Sequence, residues 1–284
     1  MSANGGMAQL FGYVNDVLQS IIVIFGTAVV LYNVPRFSRG SVPRAFSSLV
    51  GLVVLVYLTE LLVSRAIVPD STDLLLRLGW IGVAMVPAAQ FHLSDALLAT
   101  TGKLSRRRRN LVIAGYLIGA AFALLGLFSD LVVGPPSPLA PTPRLTSGPI
   151  FPFFATYYWS VTAGSVYNVW RARQRCLTTT TRHRMTTTLI AILAAPLGVF
   201  PYTVWVGDST ADIPVLLWPV LIIGNFIVSL LFAVLTSQLV YFGSTSPDRV
   251  VRVRLYKYMA RVPLAATIVG LCPCQPSATH LRLA

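Results

Sequence analysis

Long apolar stretches alternate with short polar segments along most of this chain. A membrane-spanning helix needs about 20 consecutive, mostly apolar residues, and seven stretches reach that length. Their approximate bounds are 13–33, 45–66, 74–98, 111–132, 149–170, 186–206 and 214–242. The pattern therefore predicts an all-α polytopic membrane protein, a bundle of seven transmembrane helices.

The composition indicates that lipid is the main solvent of this chain. Of its 284 residues, 55% are hydrophobic and 11% are charged, and the mean hydropathy is +0.71. Soluble domains carry roughly 25% charged residues. A chain with so few charged residues has too little polar surface to face water on all sides. We therefore expect it to be embedded in the lipid bilayer of the plasma membrane.

The last two apolar stretches contain several helix-breaking residues: Pro196, Gly198, Pro201, Pro219 and Gly224. Inside a bilayer the backbone groups have no water to bond, so a spanning segment must still be helical. Proline in such a helix produces a kink. We therefore expect kinks in spans 6 and 7.

Basic residues are distributed very unevenly between the segments that join the apolar stretches. One alternate set of segments holds 18 of them: Arg36, Arg39, Arg44, Lys103, Arg106, Arg107, Arg108, Arg109, Arg171, Arg173, Arg175, Arg182, Arg184, Arg249, Arg252, Arg254, Lys257 and Arg261. The opposite set holds two, Arg65 and Arg144. Loops rich in Lys and Arg stay in the cytoplasm, so the N-terminus is predicted to be extracellular and the C-terminus cytoplasmic.

The net charge of +13 would suggest a nucleic-acid partner in a soluble protein. Here the charge falls in short groups between apolar stretches, which is typical of topology signals, and no nucleic-acid partner is expected. The longest predicted outer loop, residues 134–148, contains five prolines and no apolar run. It is expected to be extended and mobile.

Five polar side chains within the predicted spans are candidate ligand-binding residues: Glu60, Arg77, His92, Asp95 and Asn225. Ionisable groups inside a membrane are costly, so they are functional candidates by default. Glu60 and Arg77 are predicted to lie at similar depth on neighbouring antiparallel helices. A structural ion pair between them is the favoured interpretation, because charges in membranes usually pair.

The other three candidates divide into two groups. His92 and Asp95 are three residues apart, hence on one helical face, and they are close to the basic loop that contains Lys103. A structural hydrogen bond or a pair with that loop is favoured over a proton relay. Asn225, beside Gly224, would either bond between helices or form part of a pocket. None of these residues identifies a ligand.

The sequence shows no recognisable catalytic motif: it contains no HExxH, no GxSxG and no phosphate-binding loop. We therefore predict no catalytic residues, no cofactor and no enzymatic activity. Cys272 and Cys274 do not have the CxxC spacing, and no histidine cluster accompanies them, so no metal site is predicted.

Two further patterns bear on packing. The Gly115-x-x-x-Gly119 motif of span 4 permits close helix contact. Packing within one chain is favoured over dimerisation, although a homodimer stays open. Span 5 begins with an aromatic group: Phe151, Phe153, Phe154, Tyr157, Tyr158 and Trp159. These side chains are interpreted as a belt at the membrane interface rather than a ligand cage.

Three stretches together resemble the N-terminal seven-helix region of bacterial sensor histidine kinases, which also precedes other cytoplasmic signalling outputs. They are RLGWIGVAMVPAAQFHLSDALLATTGKLSRRRRNLVIAGYL (77–117), CLTTTTRHRMTTTLIAILAAPLGVFPY (176–202) and STSPDRVVRVRLYKYMARVP (244–263). The resemblance covers roughly residues 10–263. It implies a seven-span sensor-like domain at 1–247 and a basic juxtamembrane tail at 248–284 in the cytoplasm. It also implies a truncated or frameshifted product, because no phosphoacceptor histidine and no ATP-binding domain follow.

The leading hypothesis is therefore the sensory input module of a two-component signalling protein, without its output domain, which responds to an unknown small or lipophilic ligand. The alternative is a small polytopic transporter or channel. Kinks in spans 6 and 7 suit the alternative, but seven spans do not divide into two inverted repeats. A membrane-embedded enzyme is the third hypothesis, and it lacks a convincing polar constellation.

Overall fold

The computed structural model describes residues 3–34, 40–64, 71–102, 105–137, 143–202, 204 and 214–242, and this part of the chain is mostly helical. The helices are α1 (Ala3–Asn33), α2 (Ser41–Ser64), α3 (Thr72–Thr100), α4 (Arg106–Phe128), α5 (Phe151–Gln174), α6 (Thr179–Ala191), α7 (Ala194–Val199) and α8 (Pro214–Phe242). Two short strands, β1 (Val133–Ser137) and β2 (Arg144–Ser147), lie between α4 and α5. The predicted tail at 248–284 lies outside the described residues.

Within the part of the chain that the structure describes, four helices are long and apolar enough to cross a membrane: Leu10–Asn33 within α1, and the whole of α2, α3 and α4. A further apolar segment, Leu221–Ser237, lies within α8. The prediction of a mostly helical chain, with several apolar helices long enough to cross a membrane, is confirmed. The full set of seven spans stays a prediction.

The helices pack around α3. This helix contacts α2 on one side, α4 and α5 on others, and the short α7. Helix α1 packs against α2 and α8, while α8 also contacts α6 and α7. A large apolar core results, and its fully buried members include Leu49, Val53, Leu93, Tyr158 and Leu235. A small second cluster contains Leu98, Ala172 and Met185.

Glycines allow α2 and α3 to approach each other closely. A Cβ atom added at Gly82 would lie 2.7 Å from the backbone oxygen of Leu52 and 2.5 Å from Cγ2 of Val56. A Cβ atom at Gly79 would lie 2.4 Å from Oγ1 of Thr59. All three separations are far below van der Waals contact, so these helices can lie this close only because neither Gly79 nor Gly82 has a side chain.

The Gly115-x-x-x-Gly119 motif packs within the chain. Added Cβ atoms would lie 3.7 Å from Cβ of Ala88 at Gly115, and 3.0 Å from the backbone oxygen of Ala84 at Gly119. Both glycines therefore face α3, as the favoured interpretation of the motif predicted.

The aromatic group at the start of α5 is largely a core feature. Phe151, Phe154 and Tyr158 are buried, and the ring centroid of Phe154 lies 4.9 Å from that of Trp80 on α3. Phe153 is exposed. The prediction of an interfacial belt is therefore wrong for the three buried rings, which occupy one helical face and pack against α3 and its neighbours.

Prolines divide the sixth predicted span into two pieces, as expected. Helix α6 ends at Ala191 and α7 begins at Ala194. Pro196 has no N–H to donate to the carbonyl of Ile192, and Pro201 ends α7, with Phe200 in the extended conformation that precedes proline. Pro219, in contrast, lies inside α8, which continues through it.

The proline-rich loop at 134–148 forms a β-hairpin around residues 138–142, which lie outside the described part of the chain. Strands β1 and β2 are antiparallel, with Pro136 opposite Leu145 and an irregularity between Val133 and Pro136. Val133 and Leu145 are buried in the core cluster. The hairpin therefore closes one end of the bundle.

Candidate functional site

A cavity of about 470 Å³ lies between α1, α2, α3, α7, α8 and the hairpin. Its walls are mostly apolar, with Val56, Val83, Leu197 and Val228 among the lining residues. Ligand pockets for small molecules typically have this size and a few well-placed polar groups in an apolar lining. This cavity is the strongest candidate site in the described part of the chain.

Glu60 and Gln19 form the acidic side of the cavity. Nε2 of Gln19 on α1 donates a 3.0 Å hydrogen bond to Oε2 of Glu60 on α2. Glu60 is exposed and lines the cavity. Oε1 of Gln19 is buried and has no hydrogen-bond partner among the described residues. A carboxylate and a spare amide oxygen therefore offer hydrogen-bond acceptors to whatever occupies this space.

A second polar chain joins four helices at the same cavity. Nδ2 of Asn225 on α8 donates to Oδ1 of Asn15 on α1 at 2.8 Å. The hydroxyl of Tyr57 on α2 lies 3.2 Å from Oδ1 of Asn225 and 3.1 Å from the backbone oxygen of Gly198 on α7, to which it can donate. Asn225 thus makes an interhelical hydrogen bond and also lines the cavity. The sequence analysis had left both of these roles open.

The bond between Asn15 and Asn225 can be measured by a double-mutant cycle. We expect Asn15→Leu and Asn225→Leu each to destabilise the protein, because each leaves the opposite amide without its partner. The double variant should lose less than the sum, with a coupling energy of about 0.6–1.7 kcal/mol, the range of interhelical hydrogen bonds in membranes. Thermal unfolding in one detergent would measure it, and strictly additive losses would show that the amides do not meet.

Arg77 does not pair with Glu60, and the predicted ion pair is wrong. Nε of Arg77 bonds both carboxylate oxygens of Asp73 at 3.1 Å, and Nη2 bonds Asp130. Nη1 donates to the backbone oxygens of Gly126 at 3.1 Å and Ser129 at 3.2 Å.

The Glu60–Arg77 pair was predicted because the two residues lie at similar depth along their helices. The guanidinium of Arg77 instead makes its hydrogen bonds to nearer acceptors, which include those at the end of α4. Arg77 therefore fastens α3 to α4 and to the start of the hairpin, outside the cavity lining.

His92 and Asp95 lie far along α3 from this cavity, and neither lines it. Oδ1 of Asp95 is 3.4 Å from Nε of Arg108 on α4, so the predicted pair with the basic loop is confirmed. Nδ1 of His92 is 3.3 Å from the hydroxyl of Tyr116. These contacts join α3 to α4, which is the structural role favoured for them.

Sequence reasoning missed three polar residues that line the cavity, Asn15, Gln19 and Arg144. It also missed Tyr57, which bonds the lining residue Asn225. Asn15 and Gln19 are four residues apart, so they share one face of α1, and both are buried. Two amides on one face of a predicted span, beside Asp16 and Ser20, were a signal that could have been read. Tyr57 gave no such signal, since tyrosine is common in membrane helices.

The described residues contain no group of three or more His, Cys, Asp or Glu that could hold a metal ion. Glu60 is the single carboxylate among the residues that line the cavity. Arg144 of β2 is a buried cation in the same lining. The site therefore offers one carboxylate, one guanidinium, amide groups and a mostly apolar wall to an occupant. No protein-family model matches this chain, and no curated protein matches it either.

Proposed function

We propose that this chain is a membrane-embedded receptor module that senses a small, largely apolar molecule in the cavity. One observation carries the proposal: Asn15 and Asn225, which line the cavity, belong to a hydrogen-bonded network that joins α8 to α1, α2 and α7. Asn225 contacts both α1 and α2 through this network. An occupant that competes for these bonds would shift the position of α8 between two arrangements of the bundle.

The proposal extends to seven spans, with α5, the broken α6–α7 segment and α8 added to the four candidate spans. The distribution of basic residues supports an extracellular N-terminus and a cytoplasmic C-terminus in a bacterial plasma membrane. Segment 244–263 would then carry the response of α8 toward a cytoplasmic output domain. The resemblance to sensor histidine kinases supports this order of parts, with the receptor at 1–247 and the connecting tail at 248–284.

A chimaera tests this function. Residues 1–263 would be joined, at several helical phases, to a histidine kinase that lacks its own sensor. We expect Gly224→Leu to change autophosphorylation severalfold at constant protein level, because a Cβ atom at Gly224 meets nothing within 4 Å and the new side chain would enter the cavity. Kinase activity in intact cells also requires a cytoplasmic C-terminus, so it reports the orientation.

The matched control is Ile223→Phe, which adds bulk at an exposed neighbouring position that does not line the cavity. It should leave kinase output unchanged. If every junction phase ignored both Gly224→Leu and Asn225→Ala, the receptor proposal would lose its support.

A small transporter is the second candidate, and the broken α6–α7 segment favours it. Leu197, Gly198 and Phe200 of this segment line the cavity, and transporters often build their binding sites from interrupted helices. Substrate flux into vesicles that contain the purified protein would favour transport, and the absence of a kinase response would then be expected.

A further inference from the structure

Three arginine-rich helix ends meet at the end of the bundle opposite the cavity. They are the start of α4 (Arg106–Arg109), the end of α5 (Arg171, Arg173 and Arg175) and the first turns of α6 (Arg182 and Arg184). We call this set the arginine face.

Two contacts hold the three helix ends together. A Cβ atom at Gly102, in the loop before α4, would lie 2.7 Å from Nη1 of Arg175, so this guanidinium rests on that loop. Nε of Arg173 donates a 2.8 Å hydrogen bond to Oγ1 of Thr186 on α6. The positive charges therefore form one surface rather than three separate loops.

Negative charge is almost absent from the segments that build the arginine face. The sequence contains no Asp or Glu at 96–129 or at 131–207. Asp95 is the acidic residue that reaches this face in the described part of the chain, and it pairs with Arg108. Arg106, Arg107, Arg171, Arg175 and Arg182 are exposed. Like charges gathered at one end of the bundle repel one another, and a bound anion would reduce that repulsion.

The surface beside the arginine face has the character expected of contact with lipid. Exposed Leu111, Ile113 and Leu117 follow the arginines of α4. On α5, Tyr167 and Trp170 are also exposed, and their ring centroids are 5.8 Å apart, directly before Arg171. Tyr and Trp favour the headgroup level of a bilayer. In a bilayer with these rings at the headgroup level, the arginines would lie at the depth of lipid phosphates, with an apolar wall for acyl chains next to them.

We propose that the arginine face binds the headgroup phosphate of an anionic phospholipid, with the exposed Arg175 and Arg182 among its ligands. Guanidinium groups match phosphate oxygens through paired N–H donors. Basic surfaces between transmembrane helices recognise anionic lipids in this way, with about 1 kcal/mol from each arginine near the membrane surface. This site is distinct from the cavity and does not depend on the receptor function.

The test uses the full chain in nanodiscs of phosphatidylcholine, with or without about one third phosphatidylglycerol, a fraction chosen to supply an anionic surface. We expect phosphatidylglycerol to raise the unfolding temperature and to be retained by the purified protein in native mass spectrometry. The double variant Arg175→Gln/Arg182→Gln should retain phosphatidylglycerol about 10- to 30-fold more weakly, which corresponds to two arginine contacts.

The matched control is Arg44→Gln, which removes one exposed positive charge at the start of α2, outside the arginine face. It should leave lipid retention within twofold of the parent. Arg175→Lys keeps the charge but not the paired donors, so it should lose part of the retention. Equal losses in Arg44→Gln and in the double variant, or full retention in Arg175→Lys, would reduce the arginine face to a general topology signal and overturn the proposal.

Free inorganic phosphate separates a lipid site from a simple anion site. In phosphatidylcholine nanodiscs, millimolar phosphate should not reproduce the stabilisation by phosphatidylglycerol, because it lacks the acyl chains that would contact Leu111 and Leu117. If phosphate alone gave the full effect, the face would be a soluble-anion site and the lipid proposal would be wrong.

Discussion

Replacement of Arg77 by methionine should lower the free energy of unfolding by about 2–4 kcal/mol, one of the two largest losses that we expect from a single substitution in this protein. The Arg77 side chain is 13% exposed and bonds two carboxylates and two backbone carbonyls. Methionine would leave the carbonyls of Gly126 and Ser129 without these donors. Thermal unfolding in detergent or nanodiscs would measure the loss.

Single-partner variants separate the backbone contacts from the ion pairs. The side chains of Asp73 and Asp130 are 51% and 67% exposed, so water can replace the guanidinium there. Asp73→Asn and Asp130→Asn should each cost about 0–1 kcal/mol, as surface ion pairs do. Arg77→Lys keeps the charge but cannot span four acceptors, so it should fall close to Arg77→Met. A stable Arg77→Lys protein would contradict this account of the site.

Arg77→Met also tests whether Arg77 pairs with Glu60, as the sequence analysis predicted. Glu60 bonds Gln19, whereas Arg77 bonds Asp73, Asp130, Gly126 and Ser129, and the two sets share no residue. Losses from Glu60→Gln and Arg77→Met should therefore add to within about 0.5 kcal/mol. Recovery of stability in the double variant would instead support the Glu60–Arg77 ion pair that the sequence suggested.

Gly82→Ala should destabilise the protein by about 1–3 kcal/mol, the usual cost of overpacking a tight interface. The new methyl group would collide with the Leu52 carbonyl oxygen, at 2.7 Å, which belongs to the backbone of α2 and cannot turn away. The two helices would have to separate, and the neighbouring contact of Gly79 with Thr59 would loosen with them. Unfolding temperature in one membrane mimetic is the appropriate measurement.

Gly51→Ala is the matched control for this experiment. Gly51 lies in the middle of α2, and a Cβ atom there meets nothing within 4 Å. Alanine is the better helix former by about 1 kcal/mol, so this variant should be neutral or slightly stabilising. If Gly82→Ala behaved like Gly51→Ala, the close approach of α2 and α3 would not be a feature of the folded protein.

The sequence predicted the helical elements well because hydrophobic length is a strong signal in lipid. The first four predicted spans coincide with α1 to α4, and the interruption near Pro196 follows from its missing N–H. The β-hairpin was not predicted, because prolines at 135 and 136 argue against a strand. An irregular register accommodates them.

Contacts between distant segments were less predictable than the helices. Glu60 was predicted to pair with Arg77 because the two residues lie at similar depth on neighbouring helices. Asp73 lies one helical turn from Arg77 on the same helix and was the better candidate for its ion-pair partner. Asp130 reaches Arg77 because α4 ends there, which only the packing of α3 on α4 determines. The cavity likewise depends on how α1 and α8 meet, and Asn15 and Asn225 are 210 residues apart in the sequence.

The break between α6 and α7 has a consequence for biosynthesis. Its backbone oxygens at Ile192, Pro196 and Gly198 lie within hydrogen-bonding distance of donor groups on Gln90, Tyr158 and Tyr57, respectively. A backbone carbonyl without a partner is costly in hydrocarbon. All three side chains precede the break in the sequence, so during N-to-C synthesis they leave the ribosome before residues 179–199 do. In the seven-span arrangement, residues 179–199 would therefore insert poorly alone. Their insertion would depend on hydrogen-bond donors from helices that are synthesised earlier.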